Sequence, residues 1–163
     1  MTIRKTTLSD LPSVLDIYDA ARLRMLEMGN PQWEFSHPTE TMVRGDIERG
    51  NGYVLEESGK VVGAFAFIVG EDPTYEYIEN GAWLNNDTYG TLHRVAGNGE
   101  AHGVMAATLA FCESQIANVR VDTHEKNLPM QHILDSAGYT RCGRIYVKDG
   151  SPRIAYQKER KTL

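Results

Sequence analysis

The sequence has 163 residues, of which 41% are hydrophobic and 24% are charged. This length supports one compact domain with a real core and is too short for two comfortable ones, so we expect a single domain over residues 1–163. The formal net charge of -5 argues against a general nucleic-acid-binding protein, which needs a basic surface. No window approaches the ~18 apolar residues of a membrane helix, and the N-terminus has no apolar signal segment. We therefore expect a cytoplasmic protein with no nucleic-acid or membrane partner.

The sequence contains two cysteines, Cys112 and Cys142. Cys112 lies on an apolar helical stripe and Cys142 in a strand-like run, which is typical of reduced, packed thiols. Neither has a second cysteine or a histidine at the spacing of a zinc site, so we expect no metal site.

The first half of the chain predicts one strand, two amphipathic helices and a hairpin. Leu11, Leu15 and Tyr18 recur at helical spacing, with Ser9 as the predicted N-cap and Gly29 as the end of the helix. The run "VVGAFAFIV" is almost entirely apolar, which predicts a central strand covered on both faces. The predicted elements are a strand over 2–5, helices over 11–29 and 39–49, and strands over 53–57 and 61–69.

Residues 71–88 follow no helical or strand period. A loop of this length in so small a domain is more often functional than idle. Its carboxylates and aromatic rings suit a cationic amine, through charge pairing and cation–π contact, so we expect the loop to shape an acceptor pocket. The residues concerned are Glu71, Asp72, Tyr75, Glu76, Tyr77, Glu79 and Trp83.

The second half of the chain predicts a βαβ unit followed by a helix and a hairpin. The elements are a strand over 89–96, a glycine-rich loop, a helix ending near 117, a strand over 118–122, a helix over 128–137, and strands over 139–147 and 153–157. The full order, β-α-α-β-β-β-α-β-α-β-β, indicates a mixed α/β layer structure.

The stretch "RVAGNGEAHGVMAATLAFC", residues 94–112, places Gly97, Gly99 and Gly103 before an apolar helix, an arrangement that commonly holds a phosphate. A P-loop is excluded, because the helix opens with Gly-Val-Met and not with Gly-Lys-Ser/Thr. A dinucleotide-dependent oxidoreductase is a remote alternative, since the three glycines approach its fingerprint and Asp122 stands where a ribose-binding acid would. However, 96 residues precede the first glycine and 41 follow Asp122, which leaves no room for the second half of that sheet. A coenzyme A pyrophosphate site is the third interpretation.

Three stretches that together span most of the chain carry a family resemblance. The opening "IRKTTLSDLPSVLDIY" resembles a first strand and helix, and "YGTLHRVAGNGEAHGVMAATLAFC" resembles a fourth strand, pyrophosphate loop and third helix. "VRVDTHEKNLPMQHILDSAGYTRCG" resembles a fifth strand with the helix and strand start that follow. The family they resemble is the GNAT superfamily of acyl-CoA-dependent N-acetyltransferases. The resemblance implies a single-domain GNAT-like α/β fold, with a central, mixed and mostly antiparallel sheet flanked by about four helices, and it makes a homodimer reasonable.

The resemblance also implies where acetyl-CoA, the acyl donor, would bind. The family pattern Gln/Arg-x-x-Gly-x-Gly/Ala falls on residues 100–105, where Gly103 matches while Glu100 and Met105 depart from it. In the family, backbone N–H groups of this loop and the positive end of the next helix hold the pyrophosphate. The implied cofactor-binding residues are Val95, Ala96, Glu100, Ala101, His102, Gly103, Val104, Met105, Ala106 and Asn127, with the Leu92–Ala96 backbone beside the pantetheine.

Three of these positions have a second interpretation. Glu100 brings a negative charge towards a negative ligand, which His102 would partly offset when protonated. Met105 lies on the apolar stripe of its helix, so we expect it to turn into the core. Asn127 matches an asparagine that contacts the pantetheine arm in the family, and it is equally well placed to cap a helix.

The sequence offers several candidates for the catalytic base and acid. An amine that attacks a thioester must lose a proton, and the candidates for a base are His93, Glu79 and His124. Their ordinary interpretations are a packed histidine, a solvated carboxylate and a surface histidine, respectively. Many family members place a tyrosine acid seven residues after the asparagine, where this sequence has leucine; Tyr139 and Tyr146 are the available substitutes.

The sequence therefore favours an N-acetyltransferase that moves the acetyl group of acetyl-CoA to a primary amine of a small molecule or peptide by direct attack. The alternative is a catalytically degenerate GNAT-fold module that binds coenzyme A or serves regulation or interaction. Glu100, Met105 and Leu134 are the residues that favour the alternative.

Overall fold

The computed structural model describes residues 1–35 and 37–161, which form one seven-stranded sheet and four α-helices. Short 3-10 turns precede the first helix and interrupt the long loop. The elements are β1 (Thr2–Lys5), α1 (Leu11–Glu27), α2 (Glu40–Arg49), β2 (Gly52–Glu57), β3 (Lys60–Val69), β4 (Gly90–Gly97), α3 (Val104–Gln115), β5 (Asn118–Thr123), α4 (Leu128–Ser136), β6 (Thr140–Tyr146) and β7 (Pro152–Glu159).

The strands lie in the order β1-β2-β3-β4-β5-β7-β6. Neighbouring strands are antiparallel except for β4 and β5, which run parallel because α3 connects them as a crossover. The predicted element order is confirmed, and so is the mixed, mostly antiparallel sheet flanked by four helices.

The start of α1 differs from the prediction. The chain makes a 3-10 turn before Leu11, and Asp10, not Ser9, occupies the N-cap position. The Asp10 carboxylate accepts a hydrogen bond from the Thr7 amide at 2.7 Å and two from the Arg4 guanidinium at 2.7 and 2.8 Å. The Asp10 side chain thus bonds the residue before the 3-10 turn and makes no capping bond to the first turn of α1.

β3 runs through the middle of the protein, as its apolar sequence predicts. Its residues from Val62 to Phe67 are all buried. Phe65 and Phe67 join the core between the sheet and α3 and α4, which also contains Cys112, whereas Ala64 joins the core between the sheet and α1 and α2. The strand is therefore covered on both faces. Both cysteines are free and buried, as predicted.

The loop over residues 71–88 is irregular but is held against the sheet. The Glu79 amide donates to the Arg144 carbonyl at 3.0 Å, and the Arg144 amide donates back at 2.9 Å. Tyr75 is 2% exposed and its carbonyl accepts a hydrogen bond from the Trp83 indole at 2.9 Å. The loop thus adds a small third core beside β6 and β7.

Within residues 1–35 and 37–161, no helix combines the length and the apolar character that crossing a bilayer requires.

Gly81 makes the docking of this loop testable. A Cβ at Gly81 would lie 1.9 Å from the carbonyl oxygen of Cys142, so the backbone of the loop or of β6 would have to move. Gly81→Ala is expected to destabilise the protein by about 1–3 kcal/mol, the usual cost of overpacking, measured by urea unfolding.

Gly45→Ala is the matched control. A Cβ there would meet the movable end of the Arg49 side chain at 2.8 Å, and alanine favours a helix interior by about 1 kcal/mol over glycine. A Gly81→Ala protein as stable as the wild type would contradict the docking of the loop on β6.

Candidate active site

β4 and β5 begin as a parallel pair and then part. Their register joins Gly90–Leu92 to Val119–Val121, and the described residues give no β4–β5 pair beyond Leu92. Parallel strands that separate leave backbone groups facing each other across a gap, where a ligand can satisfy them. The parting opens a cleft at the carboxyl end of both strands.

A bulge in β4 lies directly at this parting. Ala66 of β3 faces His93 and Ala64 faces Ala96, so two residues of β4 stand opposite one residue of β3. One of the two, Arg94, has a φ of 53°, a left-handed conformation that is uncommon for a residue other than glycine. Such strain persists only where the surroundings hold it, and it concentrates at functional sites.

Two contacts hold the bulge in place. The Arg94 guanidinium donates two hydrogen bonds to the carboxylate of Asp46 on α2, at 2.7 and 3.0 Å. The Tyr18 hydroxyl of α1 donates to the Arg94 carbonyl at 2.7 Å. The Asp46 side chain is 5% exposed, so this ion pair is buried, and it fixes α2 over β4. The Tyr18 bond fixes α1 over the same strand.

The cleft contains a cavity of about 480 Å³. Its walls come from β4, the end of β5, the loop over residues 71–88 and the connection between β6 and β7; they include Asp72, His93, Val95, Asp122, Asn127 and Arg153. A hollow of about 540 Å³ at the other end of β7 is lined by Glu113, Lys158 and neighbouring residues, and contains none of the predicted site residues. The cleft is therefore the candidate active site.

His93 lies in this cavity and is paired with Asp72. The His93 Nε2 atom is 2.9 Å from the Asp72 carboxylate. Asp72 also accepts hydrogen bonds from the Thr74 amide at 2.9 Å and the Thr74 hydroxyl at 2.7 Å. Burial raises the pKa of the Asp72 carboxyl, but the hydrogen bonds from His93 and Thr74 outweigh it and bring the pKa to about 2.

The low pKa of Asp72 determines which nitrogen of His93 carries the shared proton. An ionised carboxylate accepts hydrogen bonds and donates none, so the proton between Asp72 and His93 belongs to Nε2 of the histidine. In the tautomer that donates from Nε2, the lone pair of the imidazole is on Nδ1. Because Asp72 has a folded-state pKa below its unfolded value, it stabilises the fold above about pH 4, and this contribution is lost as the pH falls through about 2.

The structure does not bring the other two base candidates to His93. Glu79 is held on β6, where it accepts hydrogen bonds from Tyr146, from Tyr77 at 2.9 Å and from Arg144 at 3.3 Å. Bonds from the two tyrosines lower the pKa of Glu79. The His124 ring accepts a hydrogen bond from the Lys126 amide at 3.0 Å, and this histidine is not among the residues that line the cavity.

The two tyrosines considered as substitute acids lie elsewhere as well. Tyr139 is buried in the core and donates to Glu113 of α3 at 3.1 Å, while Tyr146 donates to Glu79. Leu134, at the position where many family members have tyrosine, is fully buried. None of the described residues that line the cavity is a tyrosine.

The side chain of Asn98 closes the glycine-rich loop. Asn98 accepts hydrogen bonds from the amides of Glu100 and Ala101, at 2.9 and 3.0 Å. Gly103, with a φ of 80°, is the N-cap of α3 and supplies no side chain to bond the first turn. The N–H groups at the start of α3 therefore have no side-chain cap and keep the positive end of the helix available to an anion.

The remaining residues of this loop take three different positions. His102 and Ala106 are exposed. Val104 is buried, and the half-buried Met105 packs against the same core, as expected for it. Glu100 extends to solvent, where its carboxylate lies 3.8 Å from the Lys60 ammonium, so a cation accompanies the charge that was expected to oppose an anionic ligand.

Arg24 is a residue of this region that sequence reasoning missed. Its guanidinium donates to the Gly97 carbonyl at 2.8 Å and lies about 3.2 Å from the ideal Cβ position of Gly99. It lines a second cavity of about 210 Å³, which shares Val95 and Asn127 with the larger one and reaches Gly97. The two cavities are therefore adjacent along β4, between the glycine-rich loop and His93. On the sequence, Arg24 is one of several charged residues of α1.

Asn127 caps α4 and also faces the cleft. Its side-chain oxygen accepts from the Met130 amide at 3.3 Å, and its amide nitrogen donates to Gln32 at 3.0 Å. The same Gln32 oxygen accepts from the Thr123 hydroxyl at 3.0 Å and the His124 amide at 3.1 Å. Gln32, which sequence reasoning also missed, therefore ties the segment after α1 to the end of β5 and the start of α4.

The buried ion pair that holds the bulge predicts a large effect on stability. Asp46→Ala would leave the Arg94 guanidinium, whose side chain is 18% exposed, without its carboxylate. The expected loss is about 3 kcal/mol, typical of breaking a buried pair, in urea unfolding. Asp16→Ala, an exposed position on α1, is the control and is expected to change stability by less than about 0.5 kcal/mol. Equal stability of the two variants would contradict this role of Asp46.

Comparison with known proteins places this fold in a family. No family model and no curated protein matches the sequence. A solved GNAT-family acetyltransferase from Streptococcus agalactiae is 31% identical, with a TM-score of 0.91, over 99% of this chain and 96% of that one. A GNAT-family acetyltransferase from Listeria monocytogenes is 23% identical, with a TM-score of 0.73, over 97% and 94% of the two chains. A ribosomal-protein-alanine N-acetyltransferase from Brucella melitensis is 19% identical, with a TM-score of 0.65, over 98% and 99%.

The two matches below 25% identity support the fold. The match to the Streptococcus agalactiae protein goes further, because its identity extends over almost the full length of both chains. The chain therefore belongs to the GNAT family of acetyltransferases.

Proposed function

We propose that this protein is an N-acetyltransferase that binds acetyl-CoA in the cleft between β4 and β5 and transfers the acetyl group to a primary amine. The observation that carries the proposal is the content of that cleft. One end reaches the glycine-rich loop before α3, and the other holds the His93–Asp72 pair. The cleft thus has an anion-binding end and an end that holds a proton acceptor. This arrangement fits a donor that carries phosphates at one end and a thioester at the other.

Three features support binding of the donor's phosphates. The start of α3 offers N–H groups without a side-chain cap, and its helix dipole favours negative charge. The Arg24 guanidinium lies against the loop and adds a full positive charge. The negative charge of Glu100 is directed to solvent beside Lys60. Together these features offset the unfavourable charge that Glu100 was expected to bring to the site.

The pantetheine arm would follow β4. Beyond Leu92, β4 has parted from β5, so one edge of the strand faces the cleft where a neighbouring strand would otherwise pair. Val95 and Asn127 line both cavities and stand beside this edge. The amide groups of pantetheine are suited to such an edge, because they offer the same donors and acceptors as a peptide.

The chemistry requires removal of a proton from the amine. An alkylamine has a pKa near ~10.4, so at neutral pH it arrives as an ammonium ion and is not nucleophilic. We assign His93 as the base, through Nδ1, directly or through one water, with Asp72 holding the imidazole in the required tautomer. The neutral amine nitrogen then bonds to the thioester carbon and gives up a second proton to solvent, so that the amide keeps one N–H. The carbon–sulfur bond breaks to release the thiolate.

The thiolate of coenzyme A takes up a proton as it leaves. Leu134 supplies no acidic group at the position of the family's tyrosine, and no tyrosine is among the described residues of the cavity. In this proposal the protonated His93 or solvent returns the proton that the amine lost. Leu134 is the observation that favours the alternative, a module that binds coenzyme A without turnover, so a measured rate decides between the two.

One prediction of this proposal concerns His93. His93→Ala is expected to lower kcat by about 10²–10⁴-fold, the usual contribution of a general base, while the Kd for acetyl-CoA stays within about twofold. Asp72→Asn is expected to lower kcat as well, because the amide no longer fixes the tautomer of His93. Thiol release with an amine panel gives the rates, and isothermal titration gives the Kd.

His132→Ala is the matched control, because His132 is exposed on α4 and outside the cleft. It is expected to retain wild-type kcat. Wild-type turnover in His93→Ala would remove His93 from the mechanism. Tight acetyl-CoA binding by a wild-type protein that acetylates no amine would support the non-catalytic module.

A second prediction concerns Arg24. Arg24→Met is expected to weaken acetyl-CoA binding about tenfold, since it removes a charged group beside the phosphates. The kcat at saturating acetyl-CoA is expected to remain unchanged, because Arg24 lies at the other end of the cleft from His93. Arg44→Met is the control, since Arg44 is an exposed residue of α2 paired with Glu40 at 2.9 Å. Equal acetyl-CoA affinity in the two variants would exclude Arg24 from the donor site.

A further inference from the structure

Arg153 is a buried cation at the start of β7 whose charge is not matched by an adjacent carboxylate. The residue is 5% exposed and lines the 480 Å³ cavity. Its guanidinium donates to two backbone carbonyls, that of Pro152 at 2.9 Å and that of Gln32 at 3.5 Å. Among the described residues, no carboxylate lies within 4.0 Å of it.

Asp122 and Asp149 are the carboxylates whose charges act on Arg153, and both accept hydrogen bonds from other groups. Asp122 accepts a hydrogen bond from the Tyr75 hydroxyl at 2.6 Å, and the exposed Asp149 accepts one from the Ser151 amide at 2.9 Å. Burial lowers the pKa of Arg153, and the more distant charges of Asp122 and Asp149 raise it by less. A guanidinium kept in this setting without a direct anionic partner is costly.

The other cations of the cavity differ from Arg153. Arg94 is neutralised by two hydrogen bonds to Asp46. Lys148 is exposed on the connection between β6 and β7. Among the described residues that line the cavity, Arg153 is therefore the buried guanidinium able to take an anion from a bound molecule.

The acids of the cavity complete the arrangement. Asp72, Asp122 and the exposed Asp149 line it together with His93. The cavity thus combines three carboxylates and a base with a buried guanidinium. A molecule that carries an ammonium group and an anion a few bonds apart would match both kinds of group.

We propose that the amine substrate carries a carboxylate close to the amine, as a free amino acid does, and that Arg153 binds this carboxylate. The inference rests on the proposed function and specifies its acceptor. A guanidinium holds a planar carboxylate through two parallel hydrogen bonds, which orients the rest of the molecule as well as binding it. Arg153 thereby positions the amine for attack, with the ammonium group drawn towards Asp72 and Asp122.

The test compares acids with their neutral counterparts. The wild-type protein is assayed for acetyl-CoA-dependent thiol release with the twenty common L-amino acids and with the corresponding carboxamides, which keep the amine and lose the negative charge. At least one amino acid is expected to show a kcat/KM about tenfold or more above that of its carboxamide, since a charge-assisted contact is lost in the amide.

Two variants assign the preference to Arg153. Arg153→Met is expected to reduce the ratio of acid to amide to near one, mainly through KM of the acid, while the Kd for acetyl-CoA and the rate with the carboxamide remain. Arg153→Lys is expected to keep part of the preference, because it retains the charge without the planar fork. Arg44→Met, on exposed α2, is expected to keep the wild-type ratio.

The outcomes separate this inference from the proposed function. If the wild type acetylates the carboxamides as well as the amino acids, the carboxylate site is overturned and amine acetylation stands. The same conclusion follows if it acetylates other amines and none of the amino acids. If Arg153→Met folds but loses acetyl-CoA binding, Arg153 serves the donor and the inference is wrong. If acetyl-CoA does not bind the wild-type protein, the proposed function and the inference fail together. The wild-type comparison does not depend on the folding of any variant.

Discussion

The geometry of the cleft depends on one buried ion pair, between Asp46 of α2 and Arg94 of β4. Arg94 has a left-handed backbone, which by itself is unfavourable for an arginine. Two short hydrogen bonds to a carboxylate with little exposure offset that strain, and the Tyr18 hydroxyl fixes the adjacent carbonyl. His93 precedes this residue, so the same contact holds the backbone beside the proposed base, while Asp72 holds its ring.

The bulge also decides where the sheet opens. β4 pairs with β5 only as far as Leu92, and the bulge follows within two residues. A regular strand would have continued the parallel ladder and left no space for a ligand. One edge of β4 is therefore unpaired with β5 at the centre of the sheet. This edge is covered by α1, α4 and the segment that carries Gln32.

Three arginines on the cleft illustrate how position determines the use of a charge. Arg94 is neutralised by Asp46 and acts within the scaffold. Arg24 bonds a backbone carbonyl beside the glycine-rich loop, where its charge adds to the helix dipole of α3. Arg153 is buried without a direct anionic partner, and we expect it to bind one on a substrate. In our proposal, the same type of side chain serves stability, donor binding and acceptor binding because its surroundings differ.

Much of the fold could be predicted from the sequence by periodicity alone. The order of helices and strands, the doubly covered β3 and the irregular loop over residues 71–88 all follow from patterns of a few residues, and such patterns are local. The glycine that opens α3 and the cap role of Asn127 are local in the same way. The family resemblance added the expectation that these residues bind acetyl-CoA.

The partners of the site residues could not be predicted in this way, because they come from segments far apart in the chain. The loop carries several acids, and nothing in their spacing distinguishes Asp72, which meets His93, from Glu79, which meets Tyr146 of β6. Arg24 and Arg153 lie on elements at opposite ends of the sequence, and only the packing of α1 and β7 against the cleft brings both to it. The sequence by itself determined the elements and the chemistry available to them; the tertiary structure decided which charges meet, since an ion pair or a hydrogen bond depends on distance in space.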